Sequence, residues 1–287
     1  MRFLGVGFVI LAAICWGISG GIADILMNKG WSPIVISFYR GAVGFICFCL
    51  WILFRIKQNW TTSRRFYMWS LLAGLGVAGN FTLYFLSIQA SSITVAATLM
   101  YTAPVFVLLI SFLLGIEAWT WFKWGCIFAV FIGIILLTGA YNIESISVSF
   151  LGTATGLAAG LSYALFIFGF KKATAMGPPE TTLTITFFSF CLILFIIMDK
   201  EEALRAMASS EIGWFLLLGL IGGGISFIFY VIGLQKIAPT TASLVAMIEP
   251  VTASLFGVLL LGNRLNGIQA IGMGLILITI TLLSVKQ

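Results

Sequence analysis

Ten long apolar stretches, parted by short polar breaks, run the length of the chain. They lie near 3–27, 32–54, 66–89, 93–115, 122–140, 150–170, 180–198, 212–235, 239–261 and 265–284. Each is close to the roughly 20 residues a helix needs to cross a hydrocarbon core. None shows the alternating segments of about ten residues that a membrane β-barrel requires. The pattern therefore predicts an all-α integral membrane protein with ten transmembrane helices. Nearly every residue falls in a span or a short turn, which leaves no room for a soluble catalytic domain.

The pattern also repeats. At a constant shift of 146 residues, Pro33 recurs as Pro179, Gly76 as Gly222, Phe81 as Phe227 and Tyr84 as Tyr230. Gln89 recurs as Gln235, Thr94 as Thr240, Ala96 as Ala242, and Pro104–Val105 as Pro250–Val251. One ungapped register implies two copies of one unit, with residues 1–145 as the first five-helix repeat and 146–287 as the second. Five crossings is an odd number, so the second copy must enter the bilayer upside down. The fold expected is thus two inverted five-helix repeats. Such repeats characterise secondary transporters, which alternate access around a site at the repeat interface near the bilayer midplane.

Composition agrees with a lipid-embedded chain: 61% of the 287 residues are hydrophobic and 8% charged, with mean hydropathy +1.15. A soluble domain carries about 25% charged residues. The net charge of +6 does not point to nucleic acid, because the basic residues follow the spans. With the N-terminus in the cytoplasm, Arg2, Arg55, Lys57, Arg64, Arg65, Lys123, Lys171, Lys172, Lys236 and Lys286 lie inside. Only Lys29, Lys200, Arg205 and Arg264 lie outside, and Arg40 falls within the bilayer. The positive-inside rule then places both termini in the cytoplasm, with the Arg55–Arg65 cluster anchored at anionic headgroups.

The five cysteines, Cys15, Cys47, Cys49, Cys126 and Cys191, all fall in spans, and there is no histidine. Neither a disulfide framework nor a zinc site is indicated. The glycine runs lack the Lys-Ser/Thr pair of a phosphate loop, so no nucleotide or other cofactor is expected. The first span is needed by the first repeat and is read as a helix, not a cleaved signal. The sequons at Asn59 and Asn80 fall in a cytoplasmic turn and inside a helix, so both are false positives.

Several of these residues together resemble a known family. Trp16-Gly17 in the first span, Pro33 and Arg40 in the second, Pro104 in the fourth, Ile248-Glu249-Pro250-Val251 in the ninth and Leu260-Leu261-Gly262 after it are similar to the EamA type of the drug/metabolite transporter superfamily. The resemblance covers both halves. It implies a ten-helix carrier of small metabolites, amino acids and their derivatives foremost, working outward across a bacterial inner membrane. One departure is visible: the family often has Gly-Glu before the last helix of each half, whereas here the positions read Ile116-Glu117 and Gly262-Asn263.

The candidate site residues follow from charge and phase. Arg40 lies among Phe38, Tyr39, Val43 and Phe45, where a charge costs roughly 2.5–3.5 kcal/mol and normally faces protein or water. It is either a fork for a substrate carboxylate or a structural anchor between helices. Glu249 is the acid placed in mid-span; it is a candidate for coupling a proton, or a buried structural partner for Arg40. Pro104 and Pro250 each remove a helix hydrogen bond, from the carbonyls of Met100 and Ala246, and are hinge candidates as well as static kinks. The third span carries a stripe of Asn80, Tyr84, Ser87 and Ser91, with Ser226 and Tyr230 in the same phase of its repeat mate. Such a stripe lines a cavity or bonds a neighbouring helix. Trp16, Tyr101 and Tyr163 add aromatic surface near mid-span, which favours bulky or apolar substrates. The small-residue steps Gly17/Gly21, Gly152/Gly156/Gly160 and Gly219/Gly223 permit close helix contact.

The reading is a small-molecule secondary transporter that is not an enzyme. A permease for drugs, purines or sugars is the alternative within transport. From another class, a non-transporting membrane sensor is the alternative. An intramembrane enzyme would need a convergent catalytic set, which a chain without histidine and with one mid-span acid lacks.

Overall fold

In the computed structural model, which describes residues 2–54, 63–142 and 149–286, ten helical spans cross a single bundle. Arg55, Lys57 and the Asn59 sequon lie outside the described residues. Among the described residues there is no strand.

The spans begin and end where local chemistry dictates. Helices α1 (Arg2–Asn28), α2 (Pro33–Leu53) and α3 (Arg64–Ala90) form the first three. Pro33 occupies the first helical position of α2, where its missing N–H costs nothing, and Ser32 caps it by accepting from the Val35 N–H. The fourth span is broken into α4 (Ile93–Met100) and α5 (Ala103–Leu113), with Tyr101 and Thr102 in the turn between them. Then come α6 (Trp121–Thr138), closed by Gly139 at φ 77°, and α7 (Phe150–Ala173), capped by Ser149. The second half continues with α8 (Pro179–Ile197) and a short amphipathic helix, α9 (Lys200–Met207). The eighth span comprises α10 (Ile212–Gly219), a π-helical segment (Leu220–Ile225) and α11 (Ser226–Leu234). The ninth is broken into α12 (Pro239–Val245) and α13 (Ile248–Leu260), and α14 (Gly267–Lys286) is the tenth. Both breaks sit just before the prolines, Pro104 and Pro250, that lack the N–H to continue the ladder.

Packing partners exchange under the 146-residue shift. The first span packs on the eighth and ninth, and their mates pair likewise: the sixth packs on the third and fourth. The second span packs on the seventh and eighth, and the seventh on the third. The fourth packs on the ninth, and the fifth on the tenth. Small residues set these approaches, as dispersion and hydrogen bonds rather than water drive helix association in lipid. A Cβ at Gly169 would meet Ala73 of α3, and one at Gly76 would meet Phe166 of α7. Large apolar side chains such as Phe128, Phe150, Leu259 and Ile271 face outward, as a lipid-facing surface requires, and Trp121 stands exposed at one rim, where interfacial aromatics concentrate.

Candidate functional site

The fold gathers one cavity of about 390 Å³ in the middle of the bundle. It runs toward the end that carries the α1–α2 and α13–α14 connections, since Asp24, Met27, Pro33, Ile93, Leu261 and Asn263 line it there. Its deep wall holds Trp16, Arg40, Asn80, Tyr84, Tyr101, Tyr163 and Glu249, brought from six different spans. The break in the fourth span places Tyr101 in its turn, and the break in the ninth opens just before Glu249.

Arg40 and Glu249 do not form an ion pair; among the described residues the ion pairs are Lys29–Glu211 and Lys123–Glu117. The Arg40 guanidinium instead donates from Nη2 to Ser19 Oγ of α1 and lies 5.1 Å from the centre of the Phe81 ring. Glu249 lines the same cavity as Arg40, with Tyr84, Tyr101 and Tyr163 on its wall. A guanidinium and a carboxylate therefore face one cavity without neutralising each other by contact. In the same wall, Trp16 Nε1 and the Tyr163 hydroxyl are buried with no hydrogen bond. A buried donor without a partner costs about 1–3 kcal/mol.

The polar stripe on α3 does two jobs. Asn80 lines the cavity and also donates to the Ala159 carbonyl of α7 at 3.0 Å. Tyr84 lines the cavity, whereas Ser87 donates to the Gly152 carbonyl at 2.7 Å and Ser91 reaches Ser149 at 3.4 Å. Ser226 and Tyr230 do not border the cavity. Ser226 donates to the Gly222 carbonyl of its own span at 2.8 Å, and the Tyr230 ring packs on Trp16 at 4.9 Å. The reason is that the bundle is closed at that end, so residues with the helical phase of Asn80 and Tyr84 meet α1 there instead of open space. Pro104 and Pro250 are buried beside the two breaks, behind the cavity wall. The Ala246 carbonyl accepts from the Glu249 N–H at 2.9 Å, which stiffens the second break.

Asp24 is the acidic lining residue that sequence reasoning passed over, and Ser37 and Ser254 also line the cavity without having been singled out. Asp24 sits on the same stripe of α1 as Trp16 and Gly20, at steps of four, and that spacing was the available signal. Among the described residues no group of three or more His, Cys, Asp or Glu side chains gathers to hold a metal ion.

With this geometry in place, known proteins give a consistent match. The EamA-like transporter family profile matches residues 3–139 and again 150–285. An uncharacterized transporter of Archaeoglobus fulgidus is 27% identical over 287 residues, covering 96% of this chain and 94% of its own length. The threonine/homoserine exporter RhtA of Escherichia coli is 25% identical over 209 residues, covering 72% of this chain and 68% of its own. A solved chain with 18% identity superposes with a TM-score of 0.78 over 100% of this chain and 99% of that one, a likeness of fold.

Proposed function

The chain belongs to the EamA-like transporter family, and from that premise we propose that it exports amino acids or close derivatives, bulky ones included, by alternating access. The observation that carries this reading is the mid-bundle cavity that both Arg40 and Glu249 line without forming an ion pair. A zwitterion complements both groups. Its carboxylate accepts from the Arg40 fork, while its ammonium meets Glu249. The volume falls within the range of small-molecule sites, about 300–1,000 Å³. Phe81, Tyr84, Phe85 and Phe166 add apolar wall, which accommodates bulky side chains. The relative named as a threonine/homoserine exporter supports the amino-acid class and the outward direction.

The two halves act as inverted repeats, as five spans per copy require. The distribution of basic residues supports cytoplasmic termini, and the family match supports a bacterial inner membrane as the site of action. Glu249 is the group through which a proton would couple, because it is the acid at the deep wall.

Thermal stabilisation of the purified protein tests the reading. Threonine, homoserine and phenylalanine should raise the melting temperature, and an uncharged sugar should not. Equal stabilisation by the sugar, or by none of them, would contradict a zwitterion site.

A further inference from the structure

The two ends of the bundle are held differently. At the end that carries the N-terminus, Glu117 accepts from the Thr240 N–H through Oε1 at 3.0 Å and from Lys123 Nζ through Oε2 at 2.7 Å. Both ion-pair partners are nearly buried, at 14% and 5% side-chain exposure. Nearby, Lys171 Nζ donates to the carbonyls of Leu234 at 2.6 Å and Ile237 at 2.8 Å. The connection between the eighth and ninth spans is thus gripped on both sides, by a lysine at the last carbonyls of α11 and a carboxylate at the first turn of α12. Gly5 of α1 presses against Lys236 and Ile237 in the same connection, leaving no room for a Cβ.

The repeat shift carries Glu117 to Asn263, Thr240 to Thr94 and Lys123 to Gln269. At the opposite end these mates are not engaged in the same way. Asn263 and Ile93, the neighbour of Thr94, stand on the cavity wall, and among the described residues no hydrogen bond joins Asn263 to Thr94. The Asn263 N–H bonds the Gly257 carbonyl at 3.0 Å, and Gln269 Nε2 bonds the Leu137 carbonyl at 3.3 Å. Gly115 and Gly262, with φ of 64° and 72°, turn the chain into the two positions. The closed end has its latch made, and the open end has the equivalent latch unmade.

We infer that Glu117 is a positioning residue that holds the N-terminal end closed, and that Asn263 is its counterpart, bonding the Thr94 N–H to close the other end once Glu117 releases Thr240. The inference rests on the two-ended transport reading above. It assigns the two latches unequal strength, because a hydrogen bond to a carboxylate is roughly twice as strong as a neutral one. The neutral Asn263, set against the acid Glu117 of the other repeat, therefore fixes the resting state: closed at the N-terminal end and open at the other.

Sided thiol labelling tests this without depending on flux. Ser254 lines the cavity and, as Ser254→Cys in a background lacking the five native cysteines, reports access to an impermeant maleimide. Right-side-out and inverted membrane vesicles present the two faces. The parent protein should label from the end opposite its N-terminus. Glu117→Ala should raise labelling from the N-terminal side about tenfold, equivalent to about 1.4 kcal/mol of latch strength. Glu117→Gln, which keeps an acceptor for Thr240, should raise it less. The exchange Glu117→Asn with Asn263→Glu should invert the preference. An unchanged ratio in Glu117→Ala and in the exchange variant, with both proteins folded by size-exclusion profile, would overturn the latch while leaving transport untouched. Altered sidedness in a protein that moves no substrate would uphold the latch and refute the transport reading instead.

Discussion

Gly223 lies directly beneath the backbone carbonyl of Arg40: a Cβ built on it would collide with that oxygen. The contact is between the π-helical segment of the eighth span and α2, and the same segment brings Gly222 against Ser19 and Arg40 Nε. The wide turn of three glycines is therefore the seat on which the cavity arginine rests. Backbone cannot swing aside as a flexible side chain can. Gly223→Ala should cost about 1–3 kcal/mol by overpacking and lower the melting temperature. Gly274→Ala, where nothing lies within 4 Å of the added methyl, should be neutral or gain about 0.5–1 kcal/mol from reduced chain freedom. Equal effects at the two positions would mean that the π segment yields freely.

Much of this architecture is legible in the sequence, for identifiable reasons. Spans are readable because a lipid core demands about 20 apolar residues in a row. The breaks in the fourth and ninth spans are readable because Pro104 and Pro250 cannot donate. Asn80, Tyr84, Trp16, Tyr101 and Tyr163 do line one cavity with Arg40 and Glu249. Their mates Ser226 and Tyr230 do not, because helical phase says which face turns inward but not which end of the bundle is open. The π segment was equally hidden. Three glycines announce tolerance for close contact, yet the Arg40 carbonyl that exploits it lies in another span. Asp24 escaped notice because an acid four residues from a helix end reads as surface.

The separation of Arg40 from Glu249 has an energetic consequence. Arg40 bonds Ser19 and stacks on Phe81, so Arg40→Ala removes both contacts and leaves Glu249 on the cavity wall without the guanidinium that shares it. Arg40→Ala should melt well below the parent, and Glu249→Gln in the same protein should restore part of the loss. A double-mutant cycle in detergent should give an interaction of at least about 0.5 kcal/mol, the lower bound for residues that share a network. Additivity within about 0.3 kcal/mol would show that the two charges act independently.

Acid should weaken the latch at the N-terminal end. Burial pushes the Glu117 carboxyl up, but the Lys123 and Thr240 hydrogen bonds and the Lys123 charge outweigh it and hold the carboxyl below the ordinary glutamate value. A carboxyl depressed in the folded state stabilises above its unfolded value, about 4.3. That contribution is lost as pH falls from there through the lower folded value. The melting-temperature gap between the parent and Glu117→Gln should accordingly be full at pH 7 and shrink below about pH 4. A gap that stayed constant across this window would mean that the carboxylate charge contributes nothing.

Counterflow in proteoliposomes tests the central claim most directly. Vesicles loaded with unlabelled threonine or phenylalanine should accumulate the same labelled amino acid transiently and saturably, and Glu249→Gln or Arg40→Lys should abolish that uptake in folded protein. Accumulation no greater than in protein-free vesicles, for every amino acid tried and with the reconstituted protein still folded, would contradict an amino-acid carrier built around this cavity.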